Sequence, residues 1–460
     1  MRIELSIPMS LREIAAALNS PIPNENALIS FITTDTREIC KGDLFFAIKG
    51  DKHDGESFVN EAQSLGAYTV SRSGSTIKVK NGEDALLLLS SYYRSKLKKL
   101  RRIIAVTGSV GKTTTKDVLF QIIKRVYPTH ATEKNFNNAL GVAFTVLGAP
   151  SNTEILLLEM GMNHFGELSK MVDVLPPDLA IITNIKDAHI GNFGSLENIA
   201  KAKLEIAKNE KTHLILPFDE PLFSKIEDKS TVSLESPEAD VYISTLKEEQ
   251  KSTTVDIFTA KSCISSVKIN LVGHGYLEAV AYAAAVADAL EIKDLSLKEG
   301  IESLSEDTFR KRKYELYGYH IVDDCYSSSP SAMLYELELA AKSHPCSSVI
   351  GDMLELGEYA IEKHRKIGEA AYKLGYRRIY AFGKFAREVA QGAITAGMSE
   401  DRIHVNTDLS CPRKTAEALF LNSIDGETIL FKGSHATMTE RVIVHFENLL
   451  KRDREVMKNA

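Results

Sequence analysis

Cysteine is scarce in this 460-residue chain. The five present (Cys40, Cys263, Cys325, Cys346 and Cys411) are odd in number and show no Cys-x-x-Cys or zinc spacing. That excludes a disulfide framework and suits reduced thiols in a cytosol. Basic charge is not in excess either: 56 Lys and Arg against 62 Asp and Glu leave a net charge of -6, so no cationic groove for nucleic acid is advertised. No run of about 18 apolar residues occurs, which excludes a membrane-spanning helix. The opening residues carry an acid at Glu4 and no long apolar core, unlike a secretory leader. Internal repeats and low-complexity tracts are missing as well. What is present is ordinary globular composition, 44% hydrophobic and 26% charged. At roughly 150 residues per domain the length suggests about three domains. These features predict a cytoplasmic, multidomain protein with neither a nucleic-acid partner nor a membrane span.

The pattern of apolar residues divides the chain. Up to about residue 100, short strands mix with helices: Asp43 to Ile48 predicts a buried strand, Gly66 closes a helix, and Asp84 to Leu97 predicts another helix. From Arg102 strands and helices alternate. Ile103–Val106, Ile155–Leu158, Leu179–Thr183 and Leu214–Leu216 are continuous apolar strands, and amphipathic segments lie between them. That is the pattern of a parallel sheet covered on both faces. Residues 217–270 are polar and rich in Ser and Thr, which predicts an antiparallel edge, and Tyr276–Leu290 predicts an Ala-rich helix. A third α/β unit opens near 313, with strands at 320–322, 348–350, 378–382 and 428–431. The fold class expected is α/β in three parts: a small mixed N-terminal domain (1–100), a central phosphate-loop domain on a parallel sheet (101–312), and a C-terminal Rossmann-like domain (313–460).

The strand ending at Val106 runs into Thr107-Gly-Ser-Val-Gly-Lys-Thr-Thr114 and then a helix. Gly108 and Gly111 let the backbone curl, so that the amides from Ser109 through Val110 and into Thr114 can face one anion, helped by the positive end of the helix. Lys112 supplies a cation for the β- and γ-phosphates, and Thr113 a hydroxyl for Mg²⁺. Val106 stands where the longer phosphate-loop pattern has its first glycine, so this is the shorter Gly-x-x-Gly-Lys-Thr form. Glu159 ends the strand Ile155–Leu158, and His189 follows the strand ending at Thr183-Asn184, so both are expected at the carboxyl edge where open sheets bind ligands. Lys201 and Lys203 lie two apart on one helix and cannot share a face. One is expected toward solvent and the other toward the crevice, where a neutral amine could capture CO₂ as a carbamate and present an anionic oxygen to Mg²⁺.

Taken together, the loop 107–114, Asn135-Phe-Asn-Asn138 with Gly141, Leu158-Glu-Met-Gly161 with Gly166-Glu167, Thr183-Asn184 with Ala188-His189, and Ala202-Lys203 resemble the ATP-dependent Mur ligases in order and spacing. Segments 35–37, 42–47, 53–55, 323–324, 351–357 and 432–434 extend the resemblance over nearly the whole chain. Asp352-Met-Leu-Glu-Leu-Gly357 makes it most similar to those members that add D-alanyl-D-alanine to UDP-N-acetylmuramoyl-tripeptide.

The resemblance implies an enzyme whose three-domain layout suits a reaction that brings three ligands together, that uses ATP and Mg²⁺ to activate a carboxylate as an acyl phosphate for peptidoglycan synthesis, and that works as a monomer. It implies catalytic roles for Lys112, Asn138, Glu159, His189 and Lys203, with Lys203 the carbamylated position. ATP contacts are implied for residues 108–114, Asn137 and Asp324. Metal contacts are implied for Thr113, Glu159, His189 and the Lys203 carbamate. UDP-sugar contacts are implied for Asp35, Thr36, Arg37, His53, Asp54 and Gly55. Closure of the third domain would exclude water from the acyl phosphate. The chain departs from the family at His274-Gly275 (His-Asn), at Tyr326-Ser-Ser-Ser-Pro330 (Tyr-Asn-Ala-Asn-Pro) and at His435 (Arg). Arg310 and Arg312 both compete for the Arg-x-Glu position, with Glu315 its acid. Two other readings stand beside this one: a family ligase with a different amino-acid acceptor, and a non-catalytic nucleotide- or UDP-sugar-binding relative.

Overall fold

A computed structural model describes residues 1–50, 53–133, 136–249, 251–305, 312–343 and 345–459. The chain forms two compact units, Met1–Asn184 with Ala200–Leu304, and Ile185–Ile199 with Ser305–Ala460.

The first unit carries two sheets. The smaller holds β1 (Arg2–Ser10), β2 (Leu28–Thr33), β3 (Leu44–Phe46), β4 (Tyr68–Ser71) and β5 (Ile77–Lys78) in chain order. Only β1 and β2 pair antiparallel. Around it lie α1 (Leu11–Ala17), α2 (Val59–Ser64) and α3 (Gly82–Lys96). Local chemistry sets where these helices start. Ser10 and Glu13 form a reciprocal capping box on α1, and the Asn81 side chain accepts the amides of Glu83 and Asp84 to open α3.

The larger sheet comprises β6 (Arg102–Thr107), β7 (Thr129–Ala131), β8 (Ile155–Glu159), β9 (Leu179–Ile182), β10 (His213–Pro217), β11 (Lys229–Ser233), β12 (Val241–Glu248), β13 (Thr253–Phe258) and β14 (Cys263–Ile269). They are ordered β14-β13-β12-β11-β10-β9-β6-β8-β7. Ile103, Ile104, Ala105 and Val106 of β6, an interior strand between β9 and β8, are all fully buried. Each large aliphatic side chain there contributes about 1.5–3 kcal/mol. The helices α4 (Lys112–Ile123), α5 (Ala139–Leu147) and α6 (Glu167–Val174) connect the early strands. Next, α7 (Ile190–Phe193) lies in the second unit and α8 (Leu196–Leu204) crosses the boundary between units. Then come α9 (His274–Ala289) and α10 (Asp294–Glu302), and α9 packs against α4.

The antiparallel edge expected over 217–270 holds only for β12–β14. Both β11 and its junction with β12 pair parallel. Short Ser/Thr-rich strands carry no apolar run from which parallel pairing can be read. The β13–β14 ladder shifts register between Val255 and Ile257. Across from the shift, Ser266 takes φ +53° and donates its N–H to Asp256 at 2.8 Å.

In the second unit β15 (Arg312–Leu316) pairs antiparallel with β16 (Tyr319–Asp324). Then β20 (Thr428–Lys432), β17 (Cys346–Gly351), β18 (Arg378–Phe382) and β19 (Ile403–Asn406) follow across the sheet, all parallel. Neighbouring residues of β17 face opposite ways: Ile350 enters one core layer and Val349 the other. The layers are completed by α11 (Pro330–Ala341), α12 (Ala360–Lys373), α13 (Ala386–Ala396), α14 (Pro412–Asn422) and α15 (Glu440–Asn459). The Glu427 carboxylate, fully buried, is held by Arg377 through two 2.8 Å bonds. The four strands expected here are present. Two further strands were not expected, β15, whose Arg-Lys-Tyr-Glu-Leu is mostly charged, and β19, whose Ile-His-Val-Asn has no continuous apolar stretch.

On α12, buried His364 stacks on Phe385 with ring centroids 4.6 Å apart. Its Nε2 accepts the Met353 N–H at 3.0 Å, and its Nδ1 meets the Ala360 carbonyl at 2.6 Å. Accepting at Nε2 requires the neutral ring. Burial pushes the pKa below the ordinary 6.5. A folded-state pKa below the unfolded one gives stability that is present above that ordinary value and is lost as pH falls. Thermal unfolding from pH 7 toward about pH 5 should therefore show a falling Tm. His364→Gln, which can still accept from Met353, should flatten that slope; identical slopes would contradict the assignment.

Candidate functional site

At the end of β6 the chain turns at Gly108 (φ +145°) and Gly111 (φ +86°) and enters α4 at Lys112. Neighbouring structure fixes the first glycine: a Cβ at Gly108 would sit 1.9 Å from Thr183 Oγ1. Thr183 and Asn184, just past β9, grip the loop along its length. The Thr183 N–H donates to the Thr107 carbonyl at 2.9 Å, and its Oγ1 donates to the Val110 carbonyl at 2.6 Å. Asn184 Nδ2 donates to that same carbonyl at 3.0 Å. In return the Val110 N–H donates to Asn184 Oδ1 at 3.0 Å and the Ser109 N–H to the Asn184 carbonyl at 3.1 Å. Ser109 and Val110 thus spend their amides on the grip. The anion-binding end is the first turn of α4, where Lys112, Thr113 and Thr114 carry the amides that a helix leaves unpaired. Lys112 Nζ lies back over the loop and donates to the carbonyls of Gly108 (2.8 Å) and Ser109 (3.3 Å).

Beside this turn stands Glu159, the last residue of β8, only 1% exposed. Its carboxylate accepts from Thr113 Oγ1 and from Asn137 Nδ2, each at 2.8 Å, and its own N–H donates to Thr132 Oγ1 at 3.0 Å. Asn137 fits because residue 161 is glycine, where a Cβ would lie 3.0 Å from the Asn137 side chain. Asn138 does something else: its Oδ1 accepts the Gly141 N–H at 2.9 Å and caps α5. Asn135, from the same motif, lies outside the described residues.

The choice between the two lysines of α8 is made by burial. Lys201 is exposed, and Lys203 is 2% exposed. Burial first, and the Lys112 charge second, hold the Lys203 pKa well below the ordinary lysine value. Lys112, Thr113, Asn137, Glu159 and Lys203 all belong to the first unit.

His189 does not belong to it. The segment 185–199 is part of the second unit, and there His189 (φ +62°) bonds through Nδ1 to Glu355. Asp187 anchors that segment by accepting from Ser331 Oγ and Lys363 Nζ, both at 2.9 Å. Asp324 also lies in the second unit, paired at 2.6 Å with Lys432, a lysine only 2% exposed. Arg312 pairs with Asp323 at 3.0 Å, and Arg310 lies outside the described residues.

The expected sugar-binding residues surround the smaller sheet. Asp35 caps the short turn Thr36–Glu38 and binds the exposed Arg37, whose guanidinium holds the Asp35 carboxyl down at about 2. Asp54 caps Gly55–Phe58 and receives Arg72 at 2.7 Å. A Cβ at Gly55 would meet the Ile48 amide at 2.5 Å, so that turn too needs glycine. His53 packs edge-on to Phe58.

Among the described residues no helix is long and apolar enough to cross a membrane. A family model for the Mur ligase middle domain matches residues 106–287, and one for the Mur ligase family catalytic domain matches residues 28–87. In sequence the chain is similar to UDP-N-acetylmuramoyl-tripeptide–D-alanyl-D-alanine ligase of Bacillus subtilis, 32% identical over 454 residues, covering 95% of this chain and 98% of that one. In structure it is similar to MurF from Acinetobacter baumannii, with a TM-score of 0.86 at 25% identity over 97% of this chain and 100% of that one. It is likewise similar to MurF ligase from Thermotoga maritima, solved in complex with ADP, with a TM-score of 0.79 at 28% identity over 92% and 98% of the two chains. With two family models on its first 287 residues and a relative matched along almost its full length, the chain belongs to the Mur ligase family.

Proposed function

We propose that this chain is an ATP-dependent ligase that joins D-alanyl-D-alanine to UDP-N-acetylmuramoyl-tripeptide through an acyl phosphate, in cytoplasmic peptidoglycan precursor synthesis. The observation that carries the reading is the gripped phosphate loop, whose helix start sets the Thr113 hydroxyl 2.8 Å from the buried Glu159 carboxylate. The full-length relative from Bacillus subtilis supports the choice of substrates by its name, and the ADP-bound relative supports the nucleotide.

A carboxylate does not condense with an amine in water, because its oxygen is a poor leaving group. In the proposed reaction a substrate carboxylate oxygen attacks the γ-phosphorus and ADP departs. The dipeptide amine then attacks the acyl carbon and phosphate leaves. The chain's part is electrostatic. Lys112 and the α4 amides offset the repulsion between two approaching anions. Thr113 and Glu159 offer the hard oxygen ligands that suit Mg²⁺, and Asn137 orients the carboxylate. Among the described residues no three His, Cys, Asp or Glu side chains form a metal cage. Mg²⁺ at a phosphoryl-transfer site is commonly held by one or two protein oxygens together with phosphates. When bound, Mg²⁺ supplies charge neutralisation at the transferring phosphoryl group.

Burial first, and the Lys112 charge second, push the Lys203 pKa down and so favour the neutral amine, the form able to add to CO₂. Its nitrogen bonds the carbon, a proton is released, and a carbamate anion takes the place of the neutral amine near Lys112. We assign Lys203 as that carbamate. Residues 1–100, with Asp35, Arg37 and the 53–55 turn, are assigned to the UDP-sugar, residues 101–312 to ATP, and residues 313–460 to the dipeptide.

Phosphate release should require UDP-muramoyl-tripeptide and D-alanyl-D-alanine together. Release with a single amino acid would move the chain to another acceptor class, and nucleotide binding without turnover on any acceptor would make it a non-catalytic relative. Lys112→Met should lower kcat by 10² or more, read by the same assay at saturating substrates. Lys203→Ala should be inactive and regain part of its turnover when a short-chain carboxylic acid is added. No recovery, together with an unmodified Lys203 mass in the wild type, would remove the carbamate assignment.

A further inference from the structure

Tyr282 sits in the middle of α9 among Ala279, Ala281, Ala283 and Ala284, and is only 1% exposed. A phenol in so apolar a helix is costly unless its hydroxyl finds partners. It finds two, the carbonyls of Thr183 at 2.8 Å and Ile182 at 3.3 Å. Ile182 is the last residue of β9 and Thr183 the next, beyond the point where β10 pairs with β9. The pairing of β10 with β9 ends at Ile215 and Ile181. The next residues along, Thr183 and Asn184, are those that grip the phosphate loop.

The geometry points to Tyr282 as a positioning residue for the nucleotide: its hydroxyl pins the end of β9, so that Thr183 and Asn184 present a fixed template to the loop at 108–110. A second contact strengthens the arrangement. The helix that carries Tyr282 also packs against α4, whose first turn is the anion-binding end of the same loop. One buried helix therefore braces the loop from both sides, through a hydroxyl at its start and through packing behind its end. Tyr282 touches neither substrate nor reacting atoms, and its effect is confined to how well the loop is shaped before nucleotide arrives. The inference rests on the proposed reading of the loop as the ATP site.

Tyr282→Phe deletes one oxygen and keeps the ring. A single neutral hydrogen bond has a net worth of about 1 kcal/mol, so the expected result is a rise of roughly 5-fold in the Kd and KM for ATP. The KM for D-alanyl-D-alanine and kcat at saturating ATP should stay within about 2-fold. Tyr376→Phe is the matched control. Its buried hydroxyl donates to the Leu337 carbonyl at 2.9 Å in the second unit, and its loss should lower Tm without moving the ATP constants. Thr183→Val cuts the next link, Oγ1 to the Val110 carbonyl, and should weaken ATP by itself. In the double variant the two losses should be less than additive, because both act through one path. An unchanged ATP constant in Tyr282→Phe, an equal rise in both KM values, or fully additive losses would overturn the inference. A wild-type chain that binds no ATP would instead overturn the reading beneath it.

Discussion

The architecture around the nucleotide site depends on one short approach: the Thr183 hydroxyl occupies the space that a side chain at position 108 would need. Because Gly108 has no Cβ, β9 can lie close enough for Thr183 and Asn184 to trade five hydrogen bonds with residues 107–110. Those bonds use up the early loop amides and leave the positive end of α4 as the place for phosphate. The loop is thus shaped from outside itself, by a strand more than seventy positions further along the chain. Preorganisation of this kind means that little reordering remains to be done when an anion binds.

Electrostatics add a second constraint. Lys203 is enclosed and stands near the Lys112 cation, two circumstances that each disfavour a protonated amine. Removing an ammonium from water costs several kcal/mol, and such a cost persists where the perturbed group has chemistry to perform. Close by, Glu159 is just as enclosed, but it is compensated by a hydroxyl and an amide. The first unit therefore places a satisfied anion and an uncomfortable amine around one phosphate-binding turn.

Much of this was legible in the residues. The phosphate loop, the alternation of the central sheet and the apolar strands of the third sheet follow from glycine spacing and hydrophobic period, both local properties. So does the exclusion of Lys201 and Lys203 from a common face, although only burial decides between them. Long-range pairing was not legible. His189 follows a strand of the central sheet in sequence, but its segment packs with the second unit and bonds to Glu355. Asp324 is implied as an ATP contact by the resemblance alone, and its pairing with Lys432, from a strand about a hundred residues away, appears only in the fold. In β11 and β19 polar residues hide the strand pattern. Tyr282 carries no motif, and nothing short of the fold reveals which carbonyls it meets.

The far side of the larger sheet has its own consequence. An outer strand with unpaired backbone invites another chain to add on. Here β14 presents Ser265, Ser266 and Lys268, has α10 packed along it, and is buckled where Ser266 turns left-handed opposite Asp256. A twisted, lysine-bearing border of this sort makes a poor template, so a nine-stranded sheet can end in solvent without seeding intermolecular growth.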